Sequence, residues 1–366
     1  MKERAGFDYI VLFVTLVLVS IGIVMVYSAS AIIASERFND GYFFLRKQIF
    51  FALLGILIMI GVARINHQFY GKIAYVLLGI SFVSLIAVLV PGIGVTVGGS
   101  TRWLKLGVFS VQPSEFAKLA VIIYIAYSLA KKEDNIKKFS VGLLPHMIIT
   151  GIMLSLIVKQ PDMGTAVCIG AIVFTLLFAA GVRLSHLSLT VLLTAPIIYF
   201  LISNIGYRRQ RILAFLDPWE YPTDSGFQII QSLYAFGAGG LFGRGLGGGK
   251  QKLFYLPEPY TDFIFSVIGE ELGLIGVLFI LVAFLILIYR GIRIAIRVSD
   301  SFSTYLALGI TTLIGLQASV HMGVTVGLLP TKGISLPFIS YGGSSLLTSL
   351  IGLGILLNIS SQIKKG

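Results

Sequence analysis

Tyr255-Leu256-Pro257-Glu258-Pro259-Tyr260-Thr261-Asp262-Phe263-Ile264-Phe265-Ser266-Val267-Ile268-Gly269-Glu270-Glu271-Leu272-Gly273 decides how the chain is read. The stretch closes the longest polar connection and leads into an apolar helix. Asp262 then falls in the first helical turn, with Glu270 and Glu271 about 12 Å further along the axis. An ionisable group in a membrane segment is costly unless it faces a wet cavity or a partner, so each of these carboxylates is a functional candidate. A plainer reading is that Thr261 or Asp262 caps the helix, since a carboxylate at a helix N-terminus complements the dipole. From this stretch alone both readings stand.

Working outward, composition settles the class. Hydrophobic residues make up 56% of the 366, charged residues 12%, and the mean hydropathy is +0.93, far from the balance of a water-soluble domain. The chain reads as an all-α polytopic membrane protein: one transmembrane domain, 1–366, with a large loop at 206–261. Apolar windows place about ten spans near 9–28, 44–62, 73–90, 113–130, 141–158, 163–181, 187–205, 262–289, 302–328 and 342–360. Ala29-Ser30-Ala31 looks like a signal-peptide cleavage site, but the apolar run before it is longer than the usual ~7–15 residues, so the first span is retained.

The formal charge of +12 is spread over loops between apolar runs and forms no long tract, which argues against nucleic acid. The single Cys168 excludes an internal disulfide or a cysteine metal cluster, and the four histidines show no ligand spacing. An even number of spans puts both termini on one side. Fourteen basic residues lie on that side, against seven in the shorter loops opposite, so the termini are cytoplasmic and the 206–261 loop, between spans 7 and 8, faces outward.

The informative polar residues then gather on the outer face. In loop 91–112, Gly98-Gly99-Ser100-Thr101-Arg102-Trp103-Leu104-Lys105 leads to Gln112-Pro113-Ser114-Glu115, where Pro113 suits the first position of a helix. Glu115 and Lys118, three apart, either neutralise each other in the bundle or line a polar cavity. Asp162 sits in the tight outer turn Lys159-Gln160-Pro161-Asp162.

Within 206–261, the basic opening at Tyr207-Arg208-Arg209-Gln210-Arg211 and the aromatic patch near Trp219 suit either an anionic lipid head group or simple interfacial anchoring. A short amphipathic helix is expected at 226–236. The run 243–251 contains G-x-G-x-x-G without a preceding strand and fails as a Walker A loop, so it reads as a flexible connector and a candidate lid. In 329–345, Gly342-Gly343 with Ser344 and Ser345 opens the last span with exposed backbone N–H groups, and Lys332 adds a positive charge. This suits an anion, or equally a turn with packing glycines.

Gln112-Pro113-Ser114-Glu115, Leu256-Pro257-Glu258 with Thr261-Asp262-Phe263-Ile264-Phe265, Gly269-Glu270-Glu271-Leu272-Gly273 and the run 329–345 together resemble the SEDS family of cell-wall proteins, which includes FtsW, RodA and SpoVE. Pro330-Thr331-Lys332-Gly333 is most similar to the FtsW and SpoVE branch. His321 is a departure, standing where the family pattern leads one to expect Asn.

The resemblance implies a ten-span peptidoglycan glycosyltransferase of the bacterial cytoplasmic (inner) membrane, with its active site outside and a role in cell division. Its substrate would be lipid II, the disaccharide-peptide on undecaprenyl pyrophosphate, polymerised into β-1,4 strands with inversion at the anomeric carbon. Implied partners are a class B penicillin-binding protein, other divisome proteins and membrane lipid. The family's outer-loop aspartate falls on Asp262 as catalytic base, and its fourth-span acid and lysine fall on Glu115 and Lys118. Arg102, Lys332, Ser344, Ser345, Gln112 and Asp162 complete the expected substrate-binding set. A divalent cation, Mg or Mn, would serve the pyrophosphate, with no organic cofactor. The competing reading is a flippase for lipid-linked precursors, which would need a polar path across the whole bilayer.

Overall fold

The structure, a computed structural model, describes residues 6–97, 99–107, 109–223, 225–253 and 255–363. Gly98 lies outside these residues, as do Lys2, Arg4, Lys364 and Lys365, four of the fourteen basic residues counted on the side of the termini. Ten helices correspond to the ten expected spans. They are α1 (Tyr9–Phe38), α2 (Phe43–Arg64), α4 (Ala74–Leu89), α5 (Pro113–Lys131), α6 (Leu144–Lys159), α7 (Met163–Ala179), α8 (Leu184–Ser203), α11 (Ile264–Arg297), α12 (Ser301–Thr325) and α13 (Gly343–Ser360). The short α3 (Gln68–Lys72) joins α2 to α4, and α9 (Gly206–Leu216) and α10 (Ser225–Gly239) lie between α8 and α11. Among the described residues eight helices are long and apolar enough to cross a membrane on their own, α6 being counted with the helical turn Phe139–Leu143 before it, while α4 and α7 are shorter apolar helices.

Local signals set the helix ends. Asp8 caps α1, its Oδ1 accepting from the amides of Ile10 and Val11 at 3.1 and 3.2 Å, and Asp300 caps α12 in the same way. Pro113 opens α5, where its missing N–H costs nothing. The α1 helix runs ten residues past the expected end, to a left-handed Asn39, so Ala29 and Ser30 are buried in its middle.

Burial divides the bundle into a centre and a rim. In α5 and α13, 83% of the apolar window is covered by protein, whereas in α8 it is 6%, so α8 offers nearly its whole surface to lipid. The start of α1 meets the ends of α11 and α13: the Arg290 guanidinium donates to Asp8 Oδ2 at 2.5 and 2.8 Å, and the Asp8 amide to Ser360 Oγ at 3.1 Å. These contacts place the N-terminal end of the first span and the C-terminal end of the last on one face, as an even number of crossings requires.

At the opposite end the connection 91–112 is more ordered than a plain loop. It forms an antiparallel meander of β1 (Gly94–Val97), β2 (Ser100–Leu106) and β3 (Phe109–Val111), in that spatial order. The long connection holds α10, close to the expected 226–236, and also α9, which the sequence reading did not anticipate.

The α11 helix is broken at Gly273, with φ 65° and ψ −165°. A side chain there would be strained, and its Cβ would lie 2.3 Å from the Gly243 amide nitrogen. The break frees backbone groups, and the segment after α10 satisfies them. The amides of Arg244 and Gly245 donate to the carbonyls of Glu270 and Glu271, both at 3.0 Å, and those of Leu274 and Ile275 donate to Gly240 and Leu241 at 2.9 and 3.3 Å.

The carboxylates do the same work. Glu270 accepts from the amides of Lys250 at 2.7 Å and Gln251 at 3.1 Å, while Glu271 meets Lys252 Nζ at 2.5 Å and Ser28 Oγ at 2.7 Å. The glycine-rich run 243–251 is therefore fastened down, and the expectation of a flexible connector or lid does not hold. Both glutamates are fully buried and fully partnered, which explains how an apolar helix tolerates them.

Candidate active site

Asp262 does not cap α11. The helix begins at Ile264 with Phe263 at the cap position and no side-chain cap hydrogen bond. The backbone before it is set by Glu258, whose φ of 48° points its carbonyl at three amides, those of Thr261 and Asp262 at 3.2 Å and Phe263 at 3.4 Å. This turn presents the Asp262 carboxylate to Gly333. A Cβ added at Gly333 would sit 3.0 Å from Asp262 Oδ2, so the carboxylate lies directly over bare backbone.

Beside it a cavity of about 360 Å³ is lined by residues from four places in the chain. The β2 strand supplies Arg102, the start of α7 supplies Asp162 and Gly164, α9 supplies Arg208 and Arg211, and the 330–333 segment supplies Thr331, Lys332 and Gly333. Arg102 is aimed by the strand at the α6–α7 turn, where it donates to the carbonyls of Gln160, at 3.2 Å, and Pro161. Arg208 donates to Leu201 O at 3.1 Å and Arg211 to Thr331 O at 3.3 Å. The buried Thr331 hydroxyl has no partner among the described residues, so it is available to a ligand.

Three basic side chains and Lys332 around one small volume form an anion site. Burial pushes the Asp262 carboxyl up to about 6; neighbouring Glu258 adds to this, Arg211 and Arg102 pull the other way, and Asp162 raises it again. Burial, helped by Arg211, holds the Lys332 ammonium below its ordinary value. A carboxylate with a proton affinity near neutrality, next to clustered positive charge, can take a proton from a hydroxyl while the cations hold a departing anion.

Of the remaining expected site residues, Gln112, Glu115, Lys118, Ser344 and Ser345 do not line this cavity, whereas Asp162 does. Asp162 is both lining and structural: its Oδ1 caps α7 through the Thr165 amide at 3.2 Å, and its Oδ2 lies 3.4 Å from Ser114 Oγ and from Gln112 Nε2. The Gln112 amide donates to Ser344 Oγ at 3.0 Å, tying the start of α5 to the start of α13. Ser345 is buried next to it, and Gly343 packs on the Phe51 ring, where an added Cβ would come within 2.7 Å. The start of α13 is thus a tight helix contact.

Glu115 and Lys118 form a buried ion pair at 2.7 Å one turn into α5. Arg208, Arg211, Thr331 and Gly333 are among the lining residues that sequence reasoning left out of the site. The basic run 207–211 was visible, but nothing in it distinguishes a cavity wall from an interfacial anchor.

The fold and this cavity can be set beside known proteins. The family model FtsW/RodA/SpoVE, described as cell cycle protein, matches residues 8–365. The chain belongs to this SEDS family. It is 50% identical over 364 residues to a probable peptidoglycan glycosyltransferase FtsW of Geobacter metallireducens, covering 100% of this chain and 97% of the relative. It is 44% identical to stage V sporulation protein E of Bacillus subtilis, with 98% of each chain covered.

Among solved structures, this SEDS chain superposes with a TM-score of 0.80 and 30% identity on a chain of a peptidoglycan synthase complex that coordinates polymerization and crosslinking, covering 98% of this chain and 99% of the other. It superposes with a TM-score of 0.73 and 26% identity on the rod shape determining protein RodA of Thermus thermophilus, covering 98% of both.

Proposed function

We infer that this SEDS protein is a peptidoglycan glycosyltransferase, and that it polymerises lipid II on the outer face of the cytoplasmic membrane during cell division. The observation that carries the reading is Asp262: an uncapped carboxylate, set against Gly333, at the edge of a cavity walled by Arg102, Arg208, Arg211 and Lys332. An α-linked pyrophosphate donor and a β-1,4 product require inversion, so the acceptor 4-hydroxyl attacks opposite the leaving group. Asp262 takes the hydroxyl proton as the new C–O bond forms, a contribution of roughly 10²–10⁴-fold. The basic residues hold the pyrophosphate as its C–O bond breaks and its charge grows. The reaction is redox-neutral and draws on no organic cofactor.

Among the described residues no three His, Cys, Asp or Glu side chains cluster as metal ligands. A divalent cation, Mg or Mn, would be held by Asp262 or Asp162 together with substrate phosphates, and would neutralise pyrophosphate charge there. The near-bare α8 leaves apolar surface beside Ile202 and Arg208 for a prenyl tail. A class B penicillin-binding protein that crosslinks the product, within a larger divisome, is the partner this reading requires, and the resemblance to a chain of a synthase complex supports it.

At the other end of the bundle the charged groups fasten helices together, as in Asp8–Arg290 and Gln68–Asp300, and lend the flippase reading no support. The test is glycan synthesis from purified lipid II by the complex with its penicillin-binding protein. Strands that a muramidase cleaving β-1,4 links can digest are expected. Lipid II crossing vesicle bilayers without any polymer would favour the flippase instead.

A further inference from the structure

We propose that His321 is a positioning residue for this reaction: its Nδ1–H fixes the Ile334 carbonyl and so holds Lys332 and Gly333 against the Asp262 carboxylate. The inference rests on the glycosyltransferase reading for its kinetic consequences, but the tether itself is a matter of geometry. Residues 331–336 carry the wall of the cavity nearest Asp262 and have no helix or strand to hold them. Their one internal backbone bond among the described residues runs from the Ile334 amide to the Lys332 carbonyl at 3.0 Å.

What holds them comes from outside. Arg211 takes the Thr331 carbonyl at 3.3 Å, just before Lys332, and His321 takes the Ile334 carbonyl at 2.7 Å, just after Gly333. The two side chains bracket the dipeptide that faces Asp262. The His321 bond is the shorter, and it comes from a side chain only 2% exposed on the packed helix α12. The Ile334 side chain completes the fit by packing on Gly164 at the start of α7, where an added Cβ would meet it at 3.1 Å. A slip of this one peptide would move the Lys332 ammonium and the backbone under Asp262 together.

The ring uses a single nitrogen. Nδ1 donates to a carbonyl and so carries the proton, while Nε2 is buried with no partner among the described residues. The position therefore needs an N–H donor two bonds beyond Cβ. Asparagine carries one at that distance, and glutamine carries it one bond further out.

The experiment compares wild type, H321N, H321Q, H321L, K332A and H321L/K332A as full chains in complex with the penicillin-binding protein, using lipid II as substrate. In H321L and H321Q, kcat should fall about 10–100-fold, the scale expected for an ångström-sized misplacement of reacting groups, with KM within about threefold. H321N should stay within about threefold of wild type in both constants. Because His321 acts in part through Lys332, H321L should cost less in the K332A background than in wild type.

Wild-type kcat in H321L, equal damage from H321N and H321L, or an equal H321L loss in both backgrounds would each overturn the assignment. Hydrogen–deuterium exchange over 331–336 reads the tether without catalysis: faster exchange in H321L and H321Q but not in H321N is expected, and unchanged exchange in H321L would overturn it. That readout decides the tether even if wild type makes no polymer, a result that would count against the glycosyltransferase reading instead.

Discussion

Asp262 shows how far a single residue can be read from sequence. A carboxylate at the edge of an apolar helix is conspicuous, but capping and catalysis look alike until the helix start is seen at Ile264. Asp162 shows the converse, since nothing in Lys159-Gln160-Pro161-Asp162 reveals that one oxygen caps α7 while the residue also walls the cavity. The raised Asp262 pKa has a kinetic consequence. On the proposed mechanism Asp262 accepts a proton and must be ionised, so kcat/KM should be lost as pH falls through about 6 and level off above it. Glu258 contributes to that raised value, so Glu258→Gln should move the acidic limb to lower pH. A pH–rate profile of the two proteins checks both points, and an unmoved limb would remove Glu258 from the tuning of the base.

At the scale of elements, the least legible feature is the joint between α10, the run 243–251 and α11. The glycines of that run suggest flexibility because composition alone cannot show what the backbone pairs with. The partners exist only because Gly273 breaks α11 and exposes carbonyls and amides at the right spacing. Gly273→Ala should therefore lower the melting temperature of the purified protein, since it adds strain at a positive φ and a clash with the Gly243 backbone. Lys252→Ala leaves Glu271 charged and buried, which should cost about 3–5 kcal/mol. Removing both charges, as in Lys252→Met with Glu271→Leu, should cost less than that single change. Melting curves in detergent test the comparison, and a double variant worse than Lys252→Ala would contradict it.

Over the whole molecule, hydropathy made all ten spans legible because the bilayer imposes length and apolarity on each one. The meander at 91–112 escaped because strands of three to seven residues with glycine turns show too little alternation to register. The difference between the enclosed α5 and the bare α8 escaped because both pass as apolar spans, with mean hydropathies of 1.2 and 1.8, and only packing shows which one is covered. The positive-inside asymmetry predicts that the cavity end faces outside. Cys168 is buried, so cysteines introduced at the exposed Lys250 and Lys137 can be read against a quiet background. In intact cells an impermeant maleimide should label Lys250→Cys and spare Lys137→Cys, and the reverse pattern would invert the topology.

Everything above converges on one carboxylate, and one comparison tests it most directly: strand formation from purified lipid II by the wild-type complex and by Asp262→Asn, matched for folding by melting temperature and for partner binding. Asparagine keeps the shape over Gly333 but cannot take a proton, so polymer from wild type and a loss of at least about 10²-fold in the variant is the expected result. Equal polymer from both would contradict the account, removing Asp262 from the chemistry and turning attention to Glu115.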